Sequence, residues 1–129
     1  DLAHILMMAA QGKLEEAQGH VSWNENPALC VVMAANGYPG DYEKGTLIQG
    51  IEKANEVDGV YVFHAGTKEG ENGEVLSNGG RVLGVTAMAS SIAEAQAQAY
   101  KAVDLINWPE GFCRRDIAWR ALKAQEEAA

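Results

Sequence analysis

His64, Thr67, Gly79, Gly80 and Arg81 are the residues whose types and spacing could do chemistry, and all lie in one stretch, VYVFHAGTKEGENGEVLSNGGRVLGVTA, from Val60 to Ala87. Paired glycines let successive backbone N–H groups converge on an anion. An arginine beside them can hold a phosphate through two parallel N–H···O bonds. A histidine closing a strand needs only one ring N–H turned inward to donate to a phosphate or a hydroxyl. Each feature also has a plain structural reading. Gly79-Gly80 is equally a tight turn with a solvated Arg81 beside it, and a lone strand-end His64 is equally a packed or hydrogen-bonded side chain.

Other candidates are weaker. The segment NGYPGDYEKG sets Tyr38, Tyr42 and Lys44 around a turn whose dihedral Pro39 presets. FCRRDIAWRAL puts Arg114 and Arg115 ahead of an expected helix start, where they could face an anion or simply pair with Asp116 or the acidic surface. Neither a Walker pattern nor a dinucleotide fingerprint is present. The carboxylates sit in polar loops or on helix faces without a convergent pair, which suits neither a divalent cation nor acid–base work. His4, His20 and His64 keep no metal-ligand spacing with Cys30 and Cys113. The expectation is no catalytic residue and no metal site within the chain: a domain that shapes a site.

The elements that must position these residues follow from pattern. The chain has 129 residues, enough for one domain with a core. Its net charge of −8 argues against nucleic acid or an anionic membrane as partner. The charge is uneven: residues 1–58 carry three basic and nine acidic groups, residues 59–129 seven and nine, so an anion site belongs in the second part. Cys30 inside ALCVVMAA reads as a small buried hydrophobe, and both cysteines as free thiols of a reducing, cytoplasmic compartment.

DLAHILMMAAQG reads as an amphipathic helix ending at Gly12, too short to span a bilayer, and a chain that opens inside a helix reads as part of something longer. Ala28–Ala35 reads as a strand buried on both faces, and Thr46–Gln49 as a short strand. Val60–His64 and Glu74–Ser77 read as strands joined by a hairpin loop, TKEGENGE. Arg81–Met88 is a further strand, with Arg81, Leu83, Val85 and Ala87 on one face and Gly84 marking a bulge or close approach. Ile92–Asn107 is the clearest helix, with Ser91 and Glu94 as a capping box and Pro109 beyond its end. EGFCRR reads as a turn, and Asp116 as the cap of a last helix to about Lys123, with a fraying tail. Helix, strands, helix, helix is an α+β order.

Four stretches, CVVMAANGYPGDYEKG, VYVFHAGT, NGGRVLGVTAMASSIAEAQAQAYKAV and FCRRDIAWRAL, together resemble the C-terminal domain of the phosphoribosylamine–glycine ligases (glycinamide ribonucleotide synthetases), a family of ATP-grasp enzymes. The match runs in order along nearly the whole chain. The opening DLAHILMMAAQGKLEE resembles the helix that follows the catalytic core of that family. The resemblance implies a helix and linker over residues 1–26 and the C-terminal domain over 27–129. It implies a small mixed or antiparallel β-domain, similar to a rudimentary single hybrid (barrel-sandwich hybrid) motif, with flanking helices.

The family's reaction belongs to purine synthesis: ATP phosphorylates the carboxylate of glycine, and the amine of 5-phosphoribosylamine attacks the glycyl phosphate. The family's metal ligands lie in a Glu-x-Asn-x-Arg-Phe-Gly-Asp-Pro-Glu segment that would precede Asp1. The resemblance therefore implies that ATP and magnesium bind N-terminal and ATP-grasp domains of the same polypeptide, and that this chain alone is inactive. It also implies that the hairpin lies over the acceptor, with Arg81 meeting its phosphate, Gly79 and Gly80 allowing close approach, and His64 and Thr67 adding donors. Two rivals stand beside it. A carrier domain needs a lysine at a hairpin tip, and Lys68 lies between Thr67 and Glu69, away from any methionine. A structural lid predicts that changes across Gly79–Arg81 affect stability only.

Overall fold

The computed structural model describes residues 1–128. Helix α1 (Leu2–Ala10) is capped by Asp1, whose carboxylate accepts from Ala3 N–H at 2.9 Å. The short α2 (Leu14–Ala17) and a 3-10 turn (Gln18–His20) follow. Gly12, at φ +73°, ends the first helical segment as its position suggests. No residue of α1 is buried, and Leu2 is 69% exposed.

The body has two antiparallel sheets. The first is ordered β3-β6-β1-β7, from β1 (Ala28–Ala35), β3 (Val60–His64), β6 (Arg81–Met88) and β7 (Gly111–Cys113). The second is ordered β2-β5-β4, from β2 (Leu47–Ile48), β4 (Thr67–Glu69) and β5 (Val75–Ser77). Helix α3 (Ile51–Asn55) packs on β3, and α4 (Ile92–Val103) lies across β1 and β6. The α+β expectation holds; the hybrid-motif likeness remains an expectation.

Ala95, Ala99, Ala102 and Val103 line the buried side of α4, and their small size lets the helix come close to Val31, Val62, Leu83 and Val85. Burial of each of these large side chains contributes roughly 1.5–3 kcal/mol. Ser91 Oγ accepts from Glu94 N–H at 3.2 Å, but the Glu94 carboxylate takes the Ser90 hydroxyl, so only half of the expected capping box forms.

Several expectations need correction. Ala28–Ala35 is not buried on both faces: Cys30 and Val32 are exposed, because α4 covers one side of the sheet. Tyr61 and Phe63 are exposed on β3, 59% and 53%, with ring centroids 4.5 Å apart. Val60–His64 does not pair with the 74–77 strand. It pairs with β6, while Thr67–Glu69, read as loop, is the strand that joins β5. EGFCRR contains β7, which extends the first sheet along the end of β1. The long helix stops at Val103, and Gln49 bridges Asn107 instead. The last helix, α5 (Trp119–Ala128), starts three residues after Asp116 and runs through the stretch expected to fray.

Candidate functional site

Strict alternation along β6 would turn Arg81 into the core with Leu83, Val85 and Ala87. Instead the register between β1 and β6 shifts at Met33/Ala34, so that Met33 faces Leu83 and Ala34 faces Arg81, leaving Val82 as the extra residue. Val82 is buried and Arg81 is exposed. The bulge therefore delivers the guanidinium to solvent at the end of the sheet. Among the described residues Arg81 takes part in no salt bridge, unlike Arg114, Arg115 and Lys123.

The glycines before it are held by the protein itself. A Cβ on Gly80 would lie 2.1 Å from Tyr38 Cδ2, and one on Gly66 would lie 2.6 Å from the Arg81 carbonyl oxygen and 3.0 Å from Gly79 Cα. Two strands of backbone and an aromatic ring thus meet where only glycine fits. Gly80 O accepts from Ala35 N–H at 2.8 Å, and Gly66 O accepts from Asn78 N–H at 2.7 Å. Among the described residues neither Gly79 nor Gly80 donates its own N–H to a backbone or side-chain acceptor.

His64 and Thr67 are brought together, His64 Nδ1 lying 3.0 Å from Thr67 Oγ1. They line a shallow groove of about 320 Å³ with Lys68, Glu69, Gly73 and Glu74. Hydrogen bonds from Asn72, side chain and backbone at 3.0 Å each, hold the Glu74 carboxyl below the usual carboxylate range. The groove's two carboxylates outnumber its single lysine, Lys68, which disfavours a phosphate beside His64. Gly79, Gly80 and Arg81 do not line that groove; they sit across the chain turn at Ala65-Gly66, whose two N–H groups both donate to Val82 O. The five sequence candidates occupy one end of the first sheet, but as an acidic groove and a separate glycine turn.

The other arginines are engaged. Arg114 donates to both oxygens of Asp116, at 2.9 and 2.6 Å, and these bonds hold the Asp116 carboxyl below its ordinary range. Arg115 pairs with Asp104 at 2.6 Å and lies over the Tyr100 ring. Pairing is what the sequence offered as one alternative for them, and it is the one realised. Among the described residues no three His, Cys, Asp or Glu side chains converge as metal ligands, and no helix is long and apolar enough to cross a membrane.

Sequence reasoning missed two features. Tyr38, read only as a turn residue, is the ring under Gly80. Thr46, Ser77 and Trp108 form a buried polar chain that ties the second sheet to the end of α4. A buried tryptophan needs an acceptor for its indole N–H, and that requirement was the available signal.

Residues 28–120 match the family model described as "Phosphoribosylglycinamide synthetase, C domain". A phosphoribosylamine–glycine ligase of Rhodopirellula baltica is 52% identical over 128 residues, which cover 99% of this chain and 29% of that one. The chloroplastic phosphoribosylamine–glycine ligase of Arabidopsis thaliana is 50% identical over 129 residues, covering 99% of this chain and 24% of its own. The crystal structure of a phosphoribosylamine–glycine ligase from Thermotoga maritima superposes with a TM-score of 0.62 at 31% identity, over 84% of this chain and 27% of that one. The chain thus spans 24–29% of the length of these curated relatives.

Proposed function

The chain belongs to the family of phosphoribosylglycinamide synthetase C domains, and from that premise we propose that it helps form the acceptor site of a ligase joining glycine to 5-phosphoribosylamine. Residues 1–26 are then a helix and linker leading from an ATP-grasp core, and 27–129 the C-terminal domain. The wholly unburied α1 supports that division. ATP supplies the phosphoryl group that activates the glycine carboxylate, and it binds with magnesium on the N-terminal and ATP-grasp domains of the same polypeptide. Among the described residues no group of three His, Cys, Asp or Glu side chains converges as metal ligands would. A cytoplasmic, reducing setting accords with two unpaired cysteines.

The single observation that carries the reading is the turn before β6. Among the described residues the Gly79 and Gly80 N–H groups have no acceptor; Gly80 is buried, Gly79 is half-exposed, and Arg81 beyond them is exposed and in no salt bridge. Unpaired backbone donors are rare unless something satisfies them, and a phosphate reaching the half-exposed Gly79 N–H would satisfy it while Arg81 matches its charge. Thr67 and His64 lie close by but share their groove with Glu69 and Glu74, so their part is secondary.

Arg81→Ala in the complete ligase is expected to raise KM for phosphoribosylamine by roughly tenfold or more, the loss of one or two charge-assisted hydrogen bonds. An unchanged KM for that substrate overturns the reading. The purified 129-residue chain is expected to show no turnover of ATP and glycine. The structural-lid alternative has its own support, since Tyr38 and Gly66 already account for the glycines. It expects Arg81→Ala to leave KM alone, so the same measurement separates the two.

A further inference from the structure

We infer that Tyr38 is a positioning residue of this acceptor site: its ring is the wall against which the buried Gly80 is held, which sets the half-exposed Gly79 N–H and the exposed Arg81 toward the phosphate. The inference rests on the acceptor-site reading and deepens it.

The geometry is that of a wedge. On one side, a Cβ at Gly80 would come within 2.1 Å of Tyr38 Cδ2 and 2.5 Å of Cε2, so the Gly80 backbone lies directly against the ring. On the other side, a Cβ at Gly79 would come within 3.1 Å of Gly66 Cα. The turn is thus flanked by the ring on one side and by the Gly66 backbone on the other, with no space for a side chain on either glycine. Tyr38 is itself tied down: its N–H donates to Ala35 O at 3.0 Å, and Ala35 N–H donates to Gly80 O at 2.8 Å. The end of β1, the ring and the turn form one closed unit. Tyr42 meets the Tyr38 ring edge-on, centroids 6.1 Å apart, and fixes its plane further.

The ring covers Gly80 and leaves the half-exposed Gly79 N–H without a competing acceptor among the described residues. An aromatic carbon surface offers an N–H at most a weak acceptor, so it braces the turn without competing for the anion. The atoms nearest Gly80 are the ring carbons Cδ2, Cε2 and Cγ, so the wall is the ring and not its polar tip. A site held in its binding shape before the ligand arrives loses little entropy on binding. Without the ring, the Gly-Gly turn would sample many conformations, since glycine is the least restricted residue.

The test uses the complete ligase polypeptide with steady-state kinetics for each substrate. Tyr38→Ala is expected to raise KM for phosphoribosylamine by about tenfold, with kcat changed less than about twofold and KM for glycine and ATP unmoved. Tyr38→Phe keeps the ring and is expected to bring KM back to within about twofold of the parent. If Tyr38→Ala does not fold, Tyr38→Leu, which keeps apolar bulk without the flat face, carries the same expectation. Unchanged KM for phosphoribosylamine, or equal rises for all three substrates, overturns the inference. Arg81→Ala run alongside separates the two ideas. A raised KM there with a normal one in the Tyr38 variants removes Tyr38 and keeps the site; a normal KM in Arg81→Ala removes the site.

Discussion

Trp108 Nε1–H donates to Thr46 Oγ1 across 2.8 Å, and the Thr46 hydroxyl lies 2.7 Å from Ser77 Oγ. Thr46 N–H also donates to Ser77 Oγ at 3.1 Å, while Ser77 N–H returns to Thr46 O at 2.9 Å. Ser77 is fully buried and Trp108 nearly so. This chain of polar atoms joins the second sheet to the segment after α4. Burial makes the interaction one-sided: satisfied, each bond adds little, but an orphaned partner incurs its full desolvation cost.

Thr46→Val keeps the shape and removes the hydroxyl. It strands the indole N–H and one face of Ser77 at once. The expected loss is about 1–3 kcal/mol, read as a fall of several degrees in melting temperature with a change in Trp108 fluorescence. A variant melting with the parent shows that the network contributes nothing net.

Gly111 meets the same tryptophan from the other side. A Cβ there would lie 2.1 Å from Trp108 Cε3 and 2.5 Å from Cδ2 and Cζ3. The indole is nearly fully buried, and its N–H is already committed to Thr46. Gly111→Ala is expected to destabilise the protein by roughly 1–3 kcal/mol, the usual range for overpacking. Gly19→Ala, where nothing lies within 4 Å, is expected to stay within about 0.5 kcal/mol. Chemical denaturation of both decides it: equal midpoints would contradict the packing argument.

What the sequence could tell depended on the range of the interaction. Ser91 as the cap of α4, Ala95, Ala99 and Val103 as its buried face, and Gly12 at the end of the first helical segment are short-range patterns, and each is found. The pairing of β3 with β6, over β5 as neighbour, is a contact between distant segments that no local period encodes. Arg81 shows the limit most clearly. Period-2 alternation turns it inward, and one unpaired residue, Val82, reverses that. Hydrophobicity could not reveal the bulge, because Val82 and Leu83 are equally apolar and both are buried. Gly79-Gly80 was legible as a special turn, but its cause, a tyrosine just beyond the end of β1 and far from it in the chain, was not.

Cys113 and Cys30 differ in a way that pH should expose. Cys113 is half-buried beside Trp108, and burial pushes its thiol above the ordinary value; the Arg115 guanidinium pulls it partly back and the Asp104 carboxylate adds to the rise. Cys30 lies on the open side of the first sheet. The thiolate is the nucleophile, so native Cys113 is expected to alkylate more slowly than Cys30, with a pH midpoint above that of the unfolded chain. The same shift has a sign for stability. The thiol is neutral in both states at low pH, and the unfolded chain loses the proton first as pH rises. The contribution is therefore fully present below the unfolded pKa and disappears as pH climbs through the folded one. Cys113→Ser is expected to flatten that alkaline loss, and Arg115→Ala to move the Cys113 midpoint higher still. Peptide-level mass spectrometry of iodoacetamide labelling across alkaline pH provides the check. A native Cys113 that reacts as fast as Cys30, or with a midpoint at or below the unfolded value, would show that burial does not govern this thiol.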